Sequence, residues 1–199
     1  MTTVTADATR ETATTRTEST TAVNKLIGAF IAIAIIGWGA ASLLTAVHFW
    51  ALPLPDGAQP QGSMEVITSS WAYVGPIPLA TVGALYYVMM ITLGATWLVT
   101  KHELLERVML PVTALGVLSS IGLVYLQLGP IGAICPFCMV SATATVLLFT
   151  IELVIRSKGG AGIAPRGDAT RVWPITFVSA MLMTMVVMYT ISVLPIPGN

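Results

Sequence analysis

The chain has 199 residues, of which 55% are hydrophobic and only 9% charged, with a formal net charge of zero. A soluble domain carries about a quarter charged residues, so a mean hydropathy of +0.85 excludes an ordinary water-soluble fold and points to a membrane protein. The absence of a basic excess argues against a nucleic-acid partner.

Residues 1–22 are rich in Thr, Ala, Glu and Arg and show no apolar periodicity. Such a stretch buries too little hydrophobic surface to offset the entropy of ordering, and a disordered cytoplasmic tail is expected. The uncharged run 26–47 that follows matches the about 20 residues needed to cross the hydrocarbon as a helix. It is too long for the apolar core of a signal peptide and is transmembrane segment 1. Gly28, Gly37 and Gly39 within it permit close helix approach in a membrane, so a helical bundle is expected.

Prolines and glycines break the pattern between His48 and Val74, while Trp50, Trp71 and Tyr73 suit a membrane–water boundary. Within this longest connection, Met64 to Trp71 is apolar enough to form a short element lying on the bundle as a cap. Segment 2 covers 76–100 and ends in a polar turn containing Lys101, His102, Glu103, Glu106 and Arg107. Segment 3 covers 108–128, with Pro111 near its start, where proline is tolerated in a first helical turn. Gly129 to Ala133 makes an uncharged turn, and segment 4 covers 134–155. Glu152, one turn before the end of that segment, is expected to reach water or Arg156 four residues on, and not to relay protons. A basic, Gly-rich cytoplasmic loop from 159 leads to segment 5 at 173–194. The methionines there, Met181, Met183, Met185 and Met188, read as flexible packing rather than a metal ladder.

The expected class is therefore an all-α, multi-pass protein of the cell membrane. All nine lysines and arginines lie before segment 1, between segments 2 and 3, or between segments 4 and 5. The positive-inside rule then places the N-terminus in the cytoplasm and leaves the long loop and the turn before segment 4 on the other side.

That turn opens on the only two cysteines, in the sequence Cys135-Pro136-Phe137-Cys138. Two thiols at this spacing before a helix place both sulfurs near its N-terminus, where the macrodipole and free N–H groups favour a thiolate. The pattern is that of redox chemistry, on the side where thiols become disulfides. A plainer reading is two small hydrophobes buried in a membrane helix. A structural zinc is disfavoured, because it needs about four ligands and neither histidine is near in sequence. As a redox pair, the sulfurs need unequal roles: the more exposed exchanges with protein thiols, and the deeper meets a lipid-soluble acceptor. Small and aromatic residues of segments 1 to 4 would then form a flat apolar slot.

The stretch Ala133 to Ser141 (AICPFCMVS), with Tyr125-Leu126 before it and an apolar helix after it, resembles the redox motif of the vitamin K epoxide reductase family. Ser63 to Tyr87 resembles the family's luminal loop and second helix. The likeness extends over segments 1 to 4. It implies a four-helix transmembrane domain, 23–158, around a quinone pocket, with a fifth helix outside as in many bacterial members. It implies a quinone-dependent thiol–disulfide oxidoreductase that passes electrons from a thioredoxin-like or other secreted thiol protein to menaquinone or ubiquinone. Cys138 would face the quinone and Cys135 would exchange disulfides, while Ser69 and Trp71 match residues beside the quinone. Two departures stand out. Ser63 and Pro55 occupy positions where the family carries loop cysteines, and no thioredoxin-like domain follows segment 5. The alternative is a non-catalytic scaffold or assembly protein with a vestigial cysteine pair. A transporter is disfavoured by the absence of charge from mid-membrane.

Overall fold

The computed structural model describes residues 3–51, 57, 60–75, 77–101 and 103–158, with side chains from residue 20 in the first helix and from residue 105 in the fourth. The basic loop from 159 and segment 5 at 173–194 lie outside the described residues. Among the described residues there are five α-helices: α1 (Thr3–Ala51), α2 (Ser63–Thr68), α3 (Leu79–Thr100), α4 (Glu103–Leu126) and α5 (Pro136–Ser157). Four stretches of the described residues are long and apolar enough to cross a bilayer: Thr20–Phe49, Leu79–Thr100, Leu105–Ile131 and Pro136–Ser157. Helices are the form such runs must take, because hydrocarbon offers no partner to a free backbone N–H or C=O.

Three boundaries differ from the sequence-based expectation. Helix α1 already runs from Thr3, where a disordered tail is expected up to residue 22. The tail holds no Gly or Pro, and the membrane helix that follows it supplies the costly nucleus from which helix can propagate. Helix α4 begins at Glu103 and not at 108, which puts Pro111 inside the helix, where it removes one hydrogen bond of the ladder. Helix α3 begins at Leu79, because the preceding Ile77–Pro78 pairs antiparallel with Tyr73–Val74 as a two-stranded ribbon, β1 and β2.

Helix α1 packs between α3 and α5, and α4 lies mainly against α5. The core of this four-helix bundle contains Ile27, Phe30, Tyr87, Met90, Trp97 and Leu148, with Phe30 and Trp97 edge to face at 6.4 Å. Close approach of α1 and α3 depends on Gly37, since a Cβ there would enter the Tyr87 ring. At one end of the bundle the Lys101 ammonium donates to Asn24 Oδ1, tying α3 to α1. Outward faces are apolar: Leu115, Leu118 and Ile121 on α4 are all more than half exposed, as residues that meet lipid must be. At the other end, α2 lies over a second cluster of Leu44, Ile67 and Cys135. The cap expected between Met64 and Trp71 is thus α2 together with a single 3-10 turn at Ser70–Ala72.

Candidate active site

The chain reaches the cysteines through a wide turn. Residues Gln127–Ile131 wind as a π-type continuation of α4, and Gly132 ends it at φ 72°, a left-handed conformation that glycine adopts without steric cost. Cys135 is extended and is the N-cap of α5, with Pro136 at the first helical position, where its missing N–H costs nothing. The Cys135 N–H donates to Gln127 Oε1 at 2.9 Å, so a side chain from the turn fixes the cap's backbone. Both cysteines are free thiols. The Cys138 N–H donates to Cys135 Sγ at 3.2 Å, and the Cys138 thiol donates to the same sulfur with 2.6 Å between them.

This environment separates the two sulfurs chemically. Cys135 precedes the span that opens at Pro136, and its thiol is drawn from 9.0 down to about 6. The largest cause is the hydrogen bond from the Cys138 thiol. Burial opposes the shift, and the Ser63 hydroxyl and the N–H groups of Cys138 and Phe137 assist it. Cys135 is therefore the thiolate of the pair near neutral pH, and thiolate is the nucleophilic form.

Exposure runs opposite to the sequence-based expectation. Cys135 is fully buried at 0%, whereas Cys138 is half-buried and lines a cavity inside the bundle. The cause is the cap geometry. An N-cap side chain folds back over the first helical turn, and here that position lies beneath α2, against Ile67. Three residues on, at the end of the first turn, Cys138 turns to the bundle interior.

The cavity has a volume of about 120 Å³, the order of the roughly 150 Å³ that takes up a benzene ring. Its walls are mainly apolar, with Leu44, Leu79, Leu123 and Phe137 among them, and His48, Ser69, Gln127 and Ser141 supply polar groups. Ser69 and Trp71 both line it, as does Cys138. The Ser69 hydroxyl donates to Val66 O at 2.7 Å, which leaves its oxygen as an acceptor towards the cavity. Trp71 remains 55% exposed at the margin.

Sequence reasoning missed His48, Gln127 and Tyr87. His48 is 7% exposed and stacks edge to face with Tyr73 at 5.1 Å; a histidine among boundary aromatics was the available signal. Gln127, an amide within an otherwise apolar run, was another. Glu152 requires a correction. It is buried at 0%, and its Oε2 accepts a hydrogen bond from Thr113 at 2.8 Å, so it turns into the bundle rather than out to water. Arg156, four residues on, does act on Glu152, but α4 covers that face of α5, and an acidic side chain does lie within a span.

No curated protein matches the chain. The model of the vitamin K epoxide reductase family matches residues 29–153, from within α1 to near the end of α5. That region takes in the capped cysteine pair, the cavity and all four membrane helices, and the chain belongs to the vitamin K epoxide reductase family.

Proposed function

We propose that the protein is a quinone-dependent thiol–disulfide oxidoreductase of the membrane, with Cys135 and Cys138 as its redox pair. One observation carries the reading: the Cys135 sulfur accepts a hydrogen bond from a second thiol, Cys138, which lines a ring-sized apolar cavity. Family membership supports the reaction class.

In the oxidised protein, a partner thiolate attacks Cys135 Sγ and releases the Cys138 thiolate at the cavity. The partner's second thiol then attacks the mixed disulfide and leaves Cys135 as the thiolate that its hydrogen bonds favour. A quinone supplies the capacity to accept two electrons and two protons. Leu44, Leu79 and Phe137 offer the flat apolar walls its ring requires, and Trp71 closes the margin. His48 and Gln127 are the candidate polar groups for its carbonyls, and Ser69 offers an acceptor. Menaquinone and ubiquinone both satisfy these chemical demands. The distribution of Lys and Arg supports a cytoplasmic N-terminus and a cysteine pair at the non-cytoplasmic face, where a thioredoxin-like or other secreted thiol protein would meet it.

Burial of Cys135 means that α2 must lift for a partner to reach the sulfur. That burial, with Ser63 in place of a loop cysteine, is also what favours the second reading, a non-catalytic scaffold with a vestigial pair. The two are separated by reducing a ubiquinone analogue with dithiothreitol through the purified protein. The oxidoreductase reading expects turnover that Cys138→Ala abolishes; turnover at the full rate without Cys138 would remove the pair as the redox centre.

A further inference from the structure

One wall of the cavity is polar in a way that thiol exchange does not use. Ser141 lines the cavity, and the Tyr87 hydroxyl lies 2.6 Å from its carbonyl, 3.0 Å from its Oγ and 2.8 Å from Thr145 Oγ1. One phenolic hydrogen thus has three acceptors, so Tyr87 can donate towards the cavity or away from it by rotating its O–H alone. Tyr86 stands edge-on to Tyr87 at 5.2 Å, with its Oη buried and unpartnered among the described residues. A Cβ on Gly116 would lie 2.6 Å from Tyr86 Oη and 2.9 Å from Thr145 Cγ2, so both side chains meet over that glycine.

Thr113, which donates to Glu152 Oε2, lies three residues before Gly116 on α4. About 4.5 Å of helix rise therefore separates the carboxylate's anchor from the meeting point over Gly116. Among the described residues Glu152 Oε1 is buried and unpartnered, and Glu152 and Tyr86 interact electrostatically. Two turns before Thr113, on the same face of α4, Glu106 is 8% exposed and its Oε1 likewise has no partner among the described residues. Glu106 and Arg156 are the charged groups that act on Glu152. An acidic side chain within a span is costly and is retained where it serves a proton or ion path.

We infer that Glu106, Glu152, Tyr86, Tyr87 and Ser141 form a proton path from the end of the bundle remote from the cysteines to the cavity, with Glu152 as its carrier. The inference rests on the quinone reading. Two electrons leave the Cys135 and Cys138 sulfurs as their S–S bond forms; the Cys138 thiol loses its proton to the cysteine side, where the proton of the Cys135 thiolate has already gone. Two protons reach the acceptor through Glu152 and Tyr87, making the quinol. Electrons and protons then enter from opposite sides, and turnover moves charge across the membrane. If Glu152 were only a packing anchor for Thr113, both pairs of protons would be exchanged on the cysteine side.

The test uses the full chain in sealed vesicles with pyranine trapped inside, valinomycin and potassium to collapse the potential, and no oxygen. The impermeant dithiol 2,3-dimercaptopropane-1-sulfonate is added outside with a short-chain ubiquinone, so that only molecules with outward-facing cysteines turn over. The expected result is interior alkalinisation approaching two protons per quinone reduced. Glu152→Gln should abolish that signal and slow quinone reduction at least about tenfold, and Glu152→Asp should restore part of both. Quinone reduction by the unmodified protein with a silent interior would overturn the path while leaving the oxidoreductase reading intact, and this measurement needs no variant to fold. Full interior uptake in Glu152→Gln would reduce Glu152 to a packing anchor and overturn the inference as well. No quinone reduction by the unmodified protein would overturn both readings together.

Discussion

The Ser63 hydroxyl, at the start of α2, is one of the groups that lower the Cys135 thiol at the N-cap of α5. The relationship joins the cap to the cysteine pair at the point where the family resemblance leads one to expect a cysteine. A serine there can stabilise the thiolate but cannot accept its electrons.

Replacing that hydroxyl by a thiol should create a competing bond. Ser63→Cys is expected to form a disulfide between its new thiol and Cys135 on mild oxidation, because α2 packs over Cys135 and residue 63 already acts on its thiol. Mass spectrometry of the alkylated, proteolysed protein would identify the cross-link. Exclusive recovery of the Cys135–Cys138 disulfide would mean that α2 does not hold position 63 over Cys135.

The reduced pair should titrate well below an ordinary thiol. Thiolate absorbance near about 240 nm is expected to rise with a midpoint close to pH 6, compared with 9.0 for a free thiol, and to vanish in Cys135→Ala. Because the folded state lowers this value, the unfolded chain binds the extra proton between the two. The resulting stabilisation is fully present above pH 9.0 and is lost as pH falls through about 6. A midpoint near 9 would remove the hydrogen-bonded thiolate from the site.

Unequal roles for the two sulfurs should appear in trapping experiments. Cys138→Ala should accumulate mixed disulfides between Cys135 and a partner, since the attacked sulfur then has no internal thiol to displace the partner, whereas Cys135→Ala should trap none. Non-reducing gels followed by peptide identification would score both variants. Equal trapping would contradict the assignment.

Close packing of α1 on α3 makes two glycines of one helix behave oppositely. Gly37→Ala should destabilise the protein by about 1–3 kcal/mol, because the Tyr87 ring must give way to the added methyl. Gly39→Ala meets nothing within 4 Å among the described residues and should be neutral or up to about 1 kcal/mol stabilising through helix propensity. Thermal unfolding in one detergent compares them, and equal melting shifts would place the α1–α3 contact elsewhere.

Orientation is tested by labelling. In a variant lacking Cys135 and Cys138, Gly160→Cys should react with an impermeant maleimide only after lysis, given that all Lys and Arg fall in alternate connections. Reaction in intact cells would invert the topology.

The four spans and the cysteine turn are legible in the chain because each depends on local properties. An uncharged run of sufficient length has no stable form in hydrocarbon but a helix, and two cysteines flanking Pro136-Phe137 mark the head of the last described helix by spacing. Pro111 is expected in a first turn and is interior, because a helix can extend beyond the apolar run through polar residues that water tolerates. The roles of Glu152 and Gln127 are not legible. Glu152 meets Thr113, 39 residues away in the chain, only through the packing of two helices, and Gln127 meets the Cys135 N–H only through the way the turn between them folds back.

By itself the sequence determined the membrane class, the four described spans, the cysteine pair at the head of α5 and, through the matched motif, the family. Only the tertiary structure decided which sulfur is covered and which lines the cavity, because exposure of Cys135 depends on where α2 rests and not on its neighbours in the chain. It likewise decided that Glu152 meets Thr113, 39 residues away, and not water. Hydropathy and spacing are properties of one segment, whereas burial and hydrogen bonding at these sites are properties of two segments brought together by packing.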